Sequence, residues 1–363
     1  MATATAEERR DALVGRLFEG ALGAVDLLGI YIGDKLGLYS RLAQHGAANA
    51  AELAGLAGIH ERYAREWLEH QALSGILEVD DPDTADEERR YSLPEGHDEV
   101  LLDESSLNFF TPMAQLLVAC VRPIDALLQA FRTGGGVPYA DYGADLHEGQ
   151  ARFSRTMFDN LLASEWLPAV PELHARLLVD PPARVADVAC GLGRSSIALA
   201  RAYPRVHVDG LDLDEASIRR AEELLPGSGV EDRVAFHCRD AADPELAHRY
   251  DLVTIFEALH DMSRPVDVLR AARNLLAEDG CVLIGDERTA ERFSLDAGPI
   301  ERLYYGFSFL HCLPVGMVGD DPAGTGTVMR PATVQRYAEE AGFTEFDVLP
   351  IENDFWRFYR LAG

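Results

Sequence analysis

Apolar residues fall into two rhythms along the chain. From about position 184 onward, short apolar runs alternate with amphipathic stretches, whereas the front half repeats its apolar residues every three or four positions. Val185 to Ala189, Val206 to Leu211, Val234 to Cys238, Asp251 to Phe256 and Cys281 to Gly285 are short, mostly apolar runs, the pattern of strands buried on both faces. Helices are expected between them. One begins at Ser195 and Ser196, read as caps, and runs to about Tyr203. Others run from Asp214 or Glu215 to about Leu225, from about Pro265 to Ala277, and from Pro331 to Ala341. Phe346 to Ile351 and Phe355 to Tyr359 read as a closing strand pair. Strands alternating with helices predict an α/β fold: a parallel sheet with right-handed crossovers, whose ligands lie outside the carboxyl ends of the strands.

The front half predicts helices. Glu7 to Leu42 carries Leu13, Leu17, Ala21, Val25 and Leu28 at helical spacing, and Leu27 to Tyr31 is apolar almost throughout. One covering face needs less than that, so the helix is expected to be buried between subunits of a homodimer. Ala48 to Leu93 reads as a winged helix. Ala50 to Leu56 is a short helix, Gly58-Ile59-His60 a turn, and Glu61 to Ser74 a second helix giving Tyr63, Trp67 and Leu68 to the core. Ile76 to Val79 and Arg90 to Leu93 make the wing. Ser105 to Leu178 reads as a helical connector interrupted by a loop-forming stretch, Thr133 to Gly143, that suits a hinge or lid; Phe153, Met157, Phe158, Leu161 and Trp166 then continue a helix. The expected domains are 1–100, a helical winged-helix dimerisation domain, 101–180, a connector and lid, and 181–363, the ligand-binding α/β domain.

The stretch from Arg184 to Asp212 carries the most specific signal. It reads strand, glycine loop (Cys190-Gly191-Leu192-Gly193), helix, strand, acid. Glycines let the backbone approach a ligand, the helix N-terminus offers free N–H groups, and Asp212 lies where a ribose diol would be gripped. A dinucleotide fingerprint needs a third glycine, and Ser196 stands there instead, which counts against a nicotinamide dehydrogenase. The elements Asp187-Val-Ala-Cys-Gly191-Leu-Gly193 and Gly210-Leu-Asp212 resemble the class I S-adenosylmethionine-dependent methyltransferases, most closely the bacterial small-molecule type with an N-terminal winged-helix domain. Ala189 departs from the pattern, standing where that family usually has its first loop glycine. The resemblance implies a Rossmann-like seven-stranded methyltransferase sheet. It also implies S-adenosyl-L-methionine as cofactor, with Asp187, Gly191, Gly193, Asp212, Leu213, Asp240, Ala241 and Phe256 around it. Asp187 would meet the methionine ammonium, and a carboxylate in Arg239-Asp240-Ala241 would accept from the adenine amino group.

The chemistry then turns on Phe256-Glu257-Ala-Leu-His260-Asp261-Met262. Many O-methyltransferases of this class carry a His-Asp pair here, with the histidine as general base. The resemblance therefore implies His260 as proton acceptor, its ring oriented by Asp261 or by Asp286 at the next strand end. A histidine's ordinary pKa, near ~6.5, suits that task. A metal-assisted C-methylation of an α-keto acid is the alternative chemistry, since bacterial enzymes of that kind resemble the chain in the spacing of His260 and His311. There the two histidines hold a metal; here it would be iron or zinc. Arg122, Arg132, Arg152 or Arg155 could pair with a substrate carboxylate.

Charge narrows the partners. The net charge is −28 with a pI near 4.7, which disfavours nucleic acid and anionic membrane surfaces. The would-be recognition helix sets Glu61, Glu66 and Glu69 against Arg62 and Arg65, and the wing tip DDPDTADEE is acidic, so a DNA-binding regulator with a ligand-sensing domain is a lesser alternative. Five cysteines without C-x-x-C pairing predict reduced, mostly buried thiols. No signal peptide or membrane span is read, so the expectation is a cytoplasmic homodimer acting on a small molecule of secondary metabolism, most simply by O-methylation.

Overall fold

The computed structural model describes residues 4–363. Its contacts group the chain into two units, Met1–Val118 and Ala119–Gly363.

Helix α1 (Ala6–Lys35) opens on a capping box in which Thr5 accepts from the Glu8 amide and the Glu8 carboxylate accepts from the Thr5 amide. The helix expected to run to Leu42 is two helices. Gly37, at φ +65°, breaks the chain before α2 (Leu38–His45). Helices α3 (Ala50–Ala57) and α4 (Glu61–Leu73), with the short strands β1 (Glu78–Val79) and β2 (Tyr91–Ser92), make the winged helix, and α5 (His97–Leu101) follows it. Its core is Leu38, Tyr39, Leu42, Leu53, Trp67, Leu68 and Tyr91. Tyr63, expected in that core, is instead 78% exposed, because it lies on the outer face of α4. On α4, Arg62 pairs with Glu66 and Arg65 with Glu61, while Glu69 pairs with Arg89 of the wing.

Packing of α1 on this core depends on two glycines. The Trp67 indole donates to the Gly29 carbonyl at 2.9 Å. A Cβ at Gly33 would lie 2.5 Å from Tyr39 and 2.6 Å from Trp67. Farther toward its N-terminus, α1 leaves Leu13, Val14, Leu17, Phe18, Leu22 and Val25 exposed within the monomer.

Helix α6 (Thr111–Val121) contains the division between the units. The second unit then runs through α7 (Ile124–Thr133), a single 3-10 turn (Tyr139–Tyr142), α8 (Ala144–Leu161), a π turn (Leu162–Trp166) and α9 (Pro171–Leu178) before the sheet begins. Strands β3 (Arg184–Val188), β4 (His207–Asp212), β5 (Val234–Cys238), β6 (Tyr250–Phe256), β7 (Leu276–Glu287), β8 (Glu345–Val348) and β9 (Trp356–Ala362) form one sheet in the order β5-β4-β3-β6-β7-β9-β8. The first five in that order are parallel neighbours, and β9 joins antiparallel to β7 and β8. This is the expected seven-stranded Rossmann-like sheet with its closing antiparallel pair. The fifth strand begins five residues earlier than its apolar run, at Leu276, and the preceding helix α12 (Pro265–Leu275) ends accordingly sooner. Helices α10 (Arg194–Ala202), α11 (Glu215–Leu224) and α15 (Pro331–Ala341) fill the other expected positions. The insertion after β7 holds α13 (Gly298–Phe307), a π turn (Ser308–Cys312) and α14 (Leu313–Gly316).

Both sheet faces are buried. Val185 and Leu252 face one core with Trp166 and Trp356, while Ala186, Val253 and Ile255 face another with Leu269 and Tyr337. The cysteines are unpaired, and of the five only Cys238 is exposed. No single described helix is long and apolar enough to cross a membrane.

Gly33→Ala is expected to destabilise the first unit by about 1–3 kcal/mol through overpacking against Tyr39 and Trp67. Chemical denaturation followed by Trp67 fluorescence checks this; an unchanged midpoint would contradict the close approach of α1.

Candidate active site

Strand order reverses between β3 and β6, and there the carboxyl ends of β3, β4 and β6 part to leave a crevice. A cavity of about 650 Å³ lies at this point. Asp187, Gly191, Asp212, Leu213, Asp240, Ala241, Phe256 and Asp261 all line it, together with Tyr139, His147, Gln150, Ser154 and Phe158 from the segment before the sheet. Gly193 stands outside the lining. It turns the loop at φ +71°, and a Cβ there would meet the Phe236 ring at 2.2 Å. Ala189, in place of the family's glycine, takes φ +57°, a left-handed backbone that costs alanine about 1–2 kcal/mol.

Asp187 is buried at the end of β3, and its two oxygens are engaged by protein hydroxyls. Ser195 and Ser196 donate to Oδ2, and Thr254 donates to Oδ1 at 2.8 Å. The serines expected to cap α10 thus hold Asp187 instead. Gly193 is the N-cap of that helix and offers no side chain. Burial raises the Asp187 pKa against the pull of those hydrogen bonds. Asp212 at the end of β4 accepts from the Gly191 amide and from the Asp214 amide, each at 2.8 Å, so one carboxylate closes the glycine loop and starts the next turn. Leu213 beside it is 72% exposed, an apolar side chain at the cavity rim. Asp240 is exposed and accepts from the Ala242 amide at 2.8 Å.

His260 lies behind this wall. Its flanking residues Ala258 and Asp261 line the cavity, but the imidazole does not, and its side chain is 3% exposed. Nδ1 sits 2.9 Å from Asp286 Oδ1 and 2.9 Å from Glu287 Oε2. The ring is therefore oriented by Asp286 and Glu287 at the end of β7, not by its sequence neighbour Asp261. Burial works against charge on the ring, yet the two carboxylates together hold its pKa well above the ordinary value. Burial likewise raises Glu287. For Asp286 the facing imidazole outweighs burial and holds it low. Burial pushes Asp261 up to about 7.

His260 and His311, the pair read as metal ligands, bear on one another and both approach the Cys312 thiol. Among the described residues, the donors lying within 4.8 Å of one another are those of His260, Asp286 and Glu287, and His311 belongs to no such group of three. His311 is buried with Nδ1 3.4 Å from the Cys312 thiol and its ring edge-on to Tyr142, and burial pushes its pKa down to about 3. Of the arginines considered for a substrate carboxylate, Arg122 pairs with Asp145 and Arg155 with Asp159, and neither these nor Arg132 and Arg152 line the cavity.

Sequence reasoning passed over Glu257, which directly follows β6. It adopts φ +49°, lines the cavity, and accepts from Ser154 of α8. It also passed over the parallel stack of Tyr139 on His147, whose ring centroids lie 4.6 Å apart in the cavity wall. The Phe153–Met157–Phe158 pattern marked α8 as core but not which of its faces meets a ligand.

Residues 180–319 match the family model of a methyltransferase domain, and residues 23–102 match that of an Rv2258c-like winged HTH domain. The 27-O-demethylrifamycin SV methyltransferase of Amycolatopsis mediterranei (strain S699) is 34% identical over 104 residues, 28% of this chain and 38% of that protein. The chain thus spans about two fifths of that curated relative's length. The structure of the mitomycin 7-O-methyltransferase MmcR superposes with a TM-score of 0.69 at 20% identity, covering 98% of this chain and 99% of that one. Human N-acetylserotonin methyltransferase in complex with SAM gives a TM-score of 0.69 at 16% identity, covering 100% and 99%.

Gly193→Ala is expected to disrupt the loop, since the new methyl group meets Phe236 and the residue must hold a positive φ. A loss of about 1–3 kcal/mol in stability is the expected outcome, read by thermal unfolding, and Phe236→Ala in the same chain should recover part of it. The chain thus joins an Rv2258c-like winged HTH domain to a methyltransferase domain built on a Rossmann-like seven-stranded sheet.

Proposed function

We propose that the chain transfers the methyl group of S-adenosyl-L-methionine to a hydroxyl of a small-molecule acceptor of secondary metabolism, working as a cytoplasmic homodimer. The observation that carries this reading is the cavity at the switch point, where Gly191, Asp212 and Asp240 share one wall. Asp212, already fixed by two backbone amides, suits a ribose diol. The Asp240–Ala241 turn suits the adenine edge, with Leu213 against its face. Asp187 supports this wall through Ser195 and Ser196, so it stiffens the loop that must approach the donor closely.

When bound, the donor supplies an electrophilic methyl on a sulfonium. The cavity is charged to receive it: seven carboxyl side chains and three guanidinium groups line it. Two of the arginines are engaged by acids, Arg239 by Asp243 and Glu245, and Arg264 by Asp267. Phe158 and Phe256, ring centroids 5.4 Å apart, add aromatic surface to the same wall, which favours a cation. Holding acceptor and methyl in line accounts for most of the rate. MmcR, a mitomycin 7-O-methyltransferase by name, and the matched 27-O-demethylrifamycin SV methyltransferase support a hydroxyl acceptor. The apolar face of α1 supports the dimer, and the Arg–Glu pairs on α4 leave that helix ill suited to phosphate.

Isothermal calorimetry tests the donor. S-adenosylhomocysteine is expected to bind the wild-type protein, and Asp212→Ala to weaken it at least about tenfold, the worth of a charged hydrogen-bonded pair. Absence of binding to the wild type would sink the proposal. For the dimer, sedimentation of Leu17→Glu/Phe18→Glu should give a monomer where the wild type gives twice that mass. A monomeric wild type would contradict it.

A further inference from the structure

We infer that Glu257, rather than His260, takes the proton from the acceptor's hydroxyl. The inference rests on the methyl-transfer reading above and assigns that site its base. Glu257 has what a base needs. It stands in the wall of the cavity, whereas the His260 ring does not. It follows β6 directly, and its own amide donates to the Gly285 carbonyl at 2.8 Å, so its position is fixed by the sheet. Its φ of +49° is a left-handed backbone at a residue with no glycine-like freedom, a strain of about 1–3 kcal/mol that persists only where the surroundings enforce it. That backbone carries the carboxyl into the cavity wall, where Ser154 of α8 and the Trp356 side chain of β9 hydrogen-bond it. Three elements thus hold one carboxyl at the site.

The competing groups fit less well. His260 is enclosed, and its Nδ1 lies 2.9 Å from two carboxylates that favour its protonated form and hold its pKa above the ordinary value. A base must begin without its proton. Asp261 also lines the cavity, where burial pushes it up to about 7 and His260, Asp286 and Asp212 bear on it, but among the described residues no side-chain hydrogen bond to its carboxyl is seen to fix it as Ser154 fixes Glu257. The charged and titratable groups bearing on Glu257 are His260 and Asp286, and Tyr304 of α13 feels its charge in turn. Burial is the largest influence and pushes Glu257 up to about 7, where a carboxylate is strong enough to take a proton and still largely ionised just above neutrality.

The step balances. As the acceptor oxygen's electron pair forms the new O–CH3 bond, the acceptor's O–H bond breaks and the proton passes to a Glu257 oxygen. The S–CH3 bond breaks with its electron pair kept by sulfur, so the sulfonium becomes a neutral thioether. Glu257 returns the proton to water when the product leaves.

The test compares wild type, Glu257→Gln, Glu257→Asp and His260→Gln, with catechol, 1,4-dihydroxynaphthalene and 4-nitrocatechol as acceptors. S-adenosylhomocysteine calorimetry on each serves as the check of fold and donor site. Glu257→Gln should bind S-adenosylhomocysteine within about threefold of wild type and lose about 10²–10⁴ in kcat on catechol or dihydroxynaphthalene. The wild-type kcat/KM should fall as pH drops through about 7, and that limb should vanish in Glu257→Gln. The deficit should shrink on 4-nitrocatechol, whose hydroxyl ionises unaided. A Glu257→Gln enzyme with wild-type kcat and pH profile overturns the inference. So does one that no longer binds S-adenosylhomocysteine while Glu257→Asp does, which makes the residue a donor ligand, and so does transfer of the pH limb's loss to His260→Gln. If Glu257→Gln does not fold, Glu257→Asp should show a kcat loss of at least about tenfold at unchanged donor affinity, and wild-type kcat there overturns the inference. A wild type that binds S-adenosylhomocysteine but methylates none of the three defeats this inference and the hydroxyl reading together while leaving the donor site standing. A wild type that does not bind it defeats the methyl-transfer reading itself.

Discussion

A single buried carboxylate joins the parts of the site. Asp187 ends β3, yet its oxygens are taken by two serines of α10 and a threonine of β6. A charge in that position must be satisfied or it would be expelled, since an unpaired buried ion costs several kcal/mol. Meeting the demand forces the N-terminal turn of α10 against β3 and ties β6 to the same point. The loop between β3 and α10 is then short and rigid, and Asp212 completes it by accepting from Gly191. The cavity follows from this arrangement, because the two neighbours of β3 leave it in opposite directions.

The wall opposite that loop is built differently. Asp212 and Asp240 are held by backbone amides, whereas His260, Asp286 and Glu287 hold one another and Glu257 is held by Ser154 and Trp356. The buried imidazole sits between Asp286 and Glu287 behind the wall, and His260 and Asp286 bear on Glu257 in it. The α8 helix is fastened to this side through the hydrogen bond from Ser154 to Glu257.

The sheet was legible because parallel strands buried on both faces leave continuous apolar runs, as Val206 to Leu211 and Asp251 to Phe256 did. The glycine loop and the acid beside it were legible because Gly191, Gly193 and Asp212 answer to one spacing, although Gly193 serves the turn and stands outside the cavity lining. The roles around them were less so. Ser195 and Ser196 looked like caps because a cap and a side-chain donor to a strand share the same residue type and position. Asp261 and Asp286 were both open as partners of His260; adjacent side chains rarely meet, and the structure pairs the ring with Asp286 and, unread from the sequence, Glu287, both at the end of β7. Tyr63 fitted a helical stripe whose phase was off by one face. Glu257 carried no sequence signal, since a positive φ at glutamate is a product of the packed structure.

The most direct test of the account is a crystal structure grown with S-adenosylhomocysteine. It should place the ribose diol on Asp212, the adenine along Asp240 and Ala241 beneath Leu213, and the sulfur facing the wall that contains Phe256 and Glu257. A ligand bound elsewhere, or one whose sulfur points away from that wall, would contradict it.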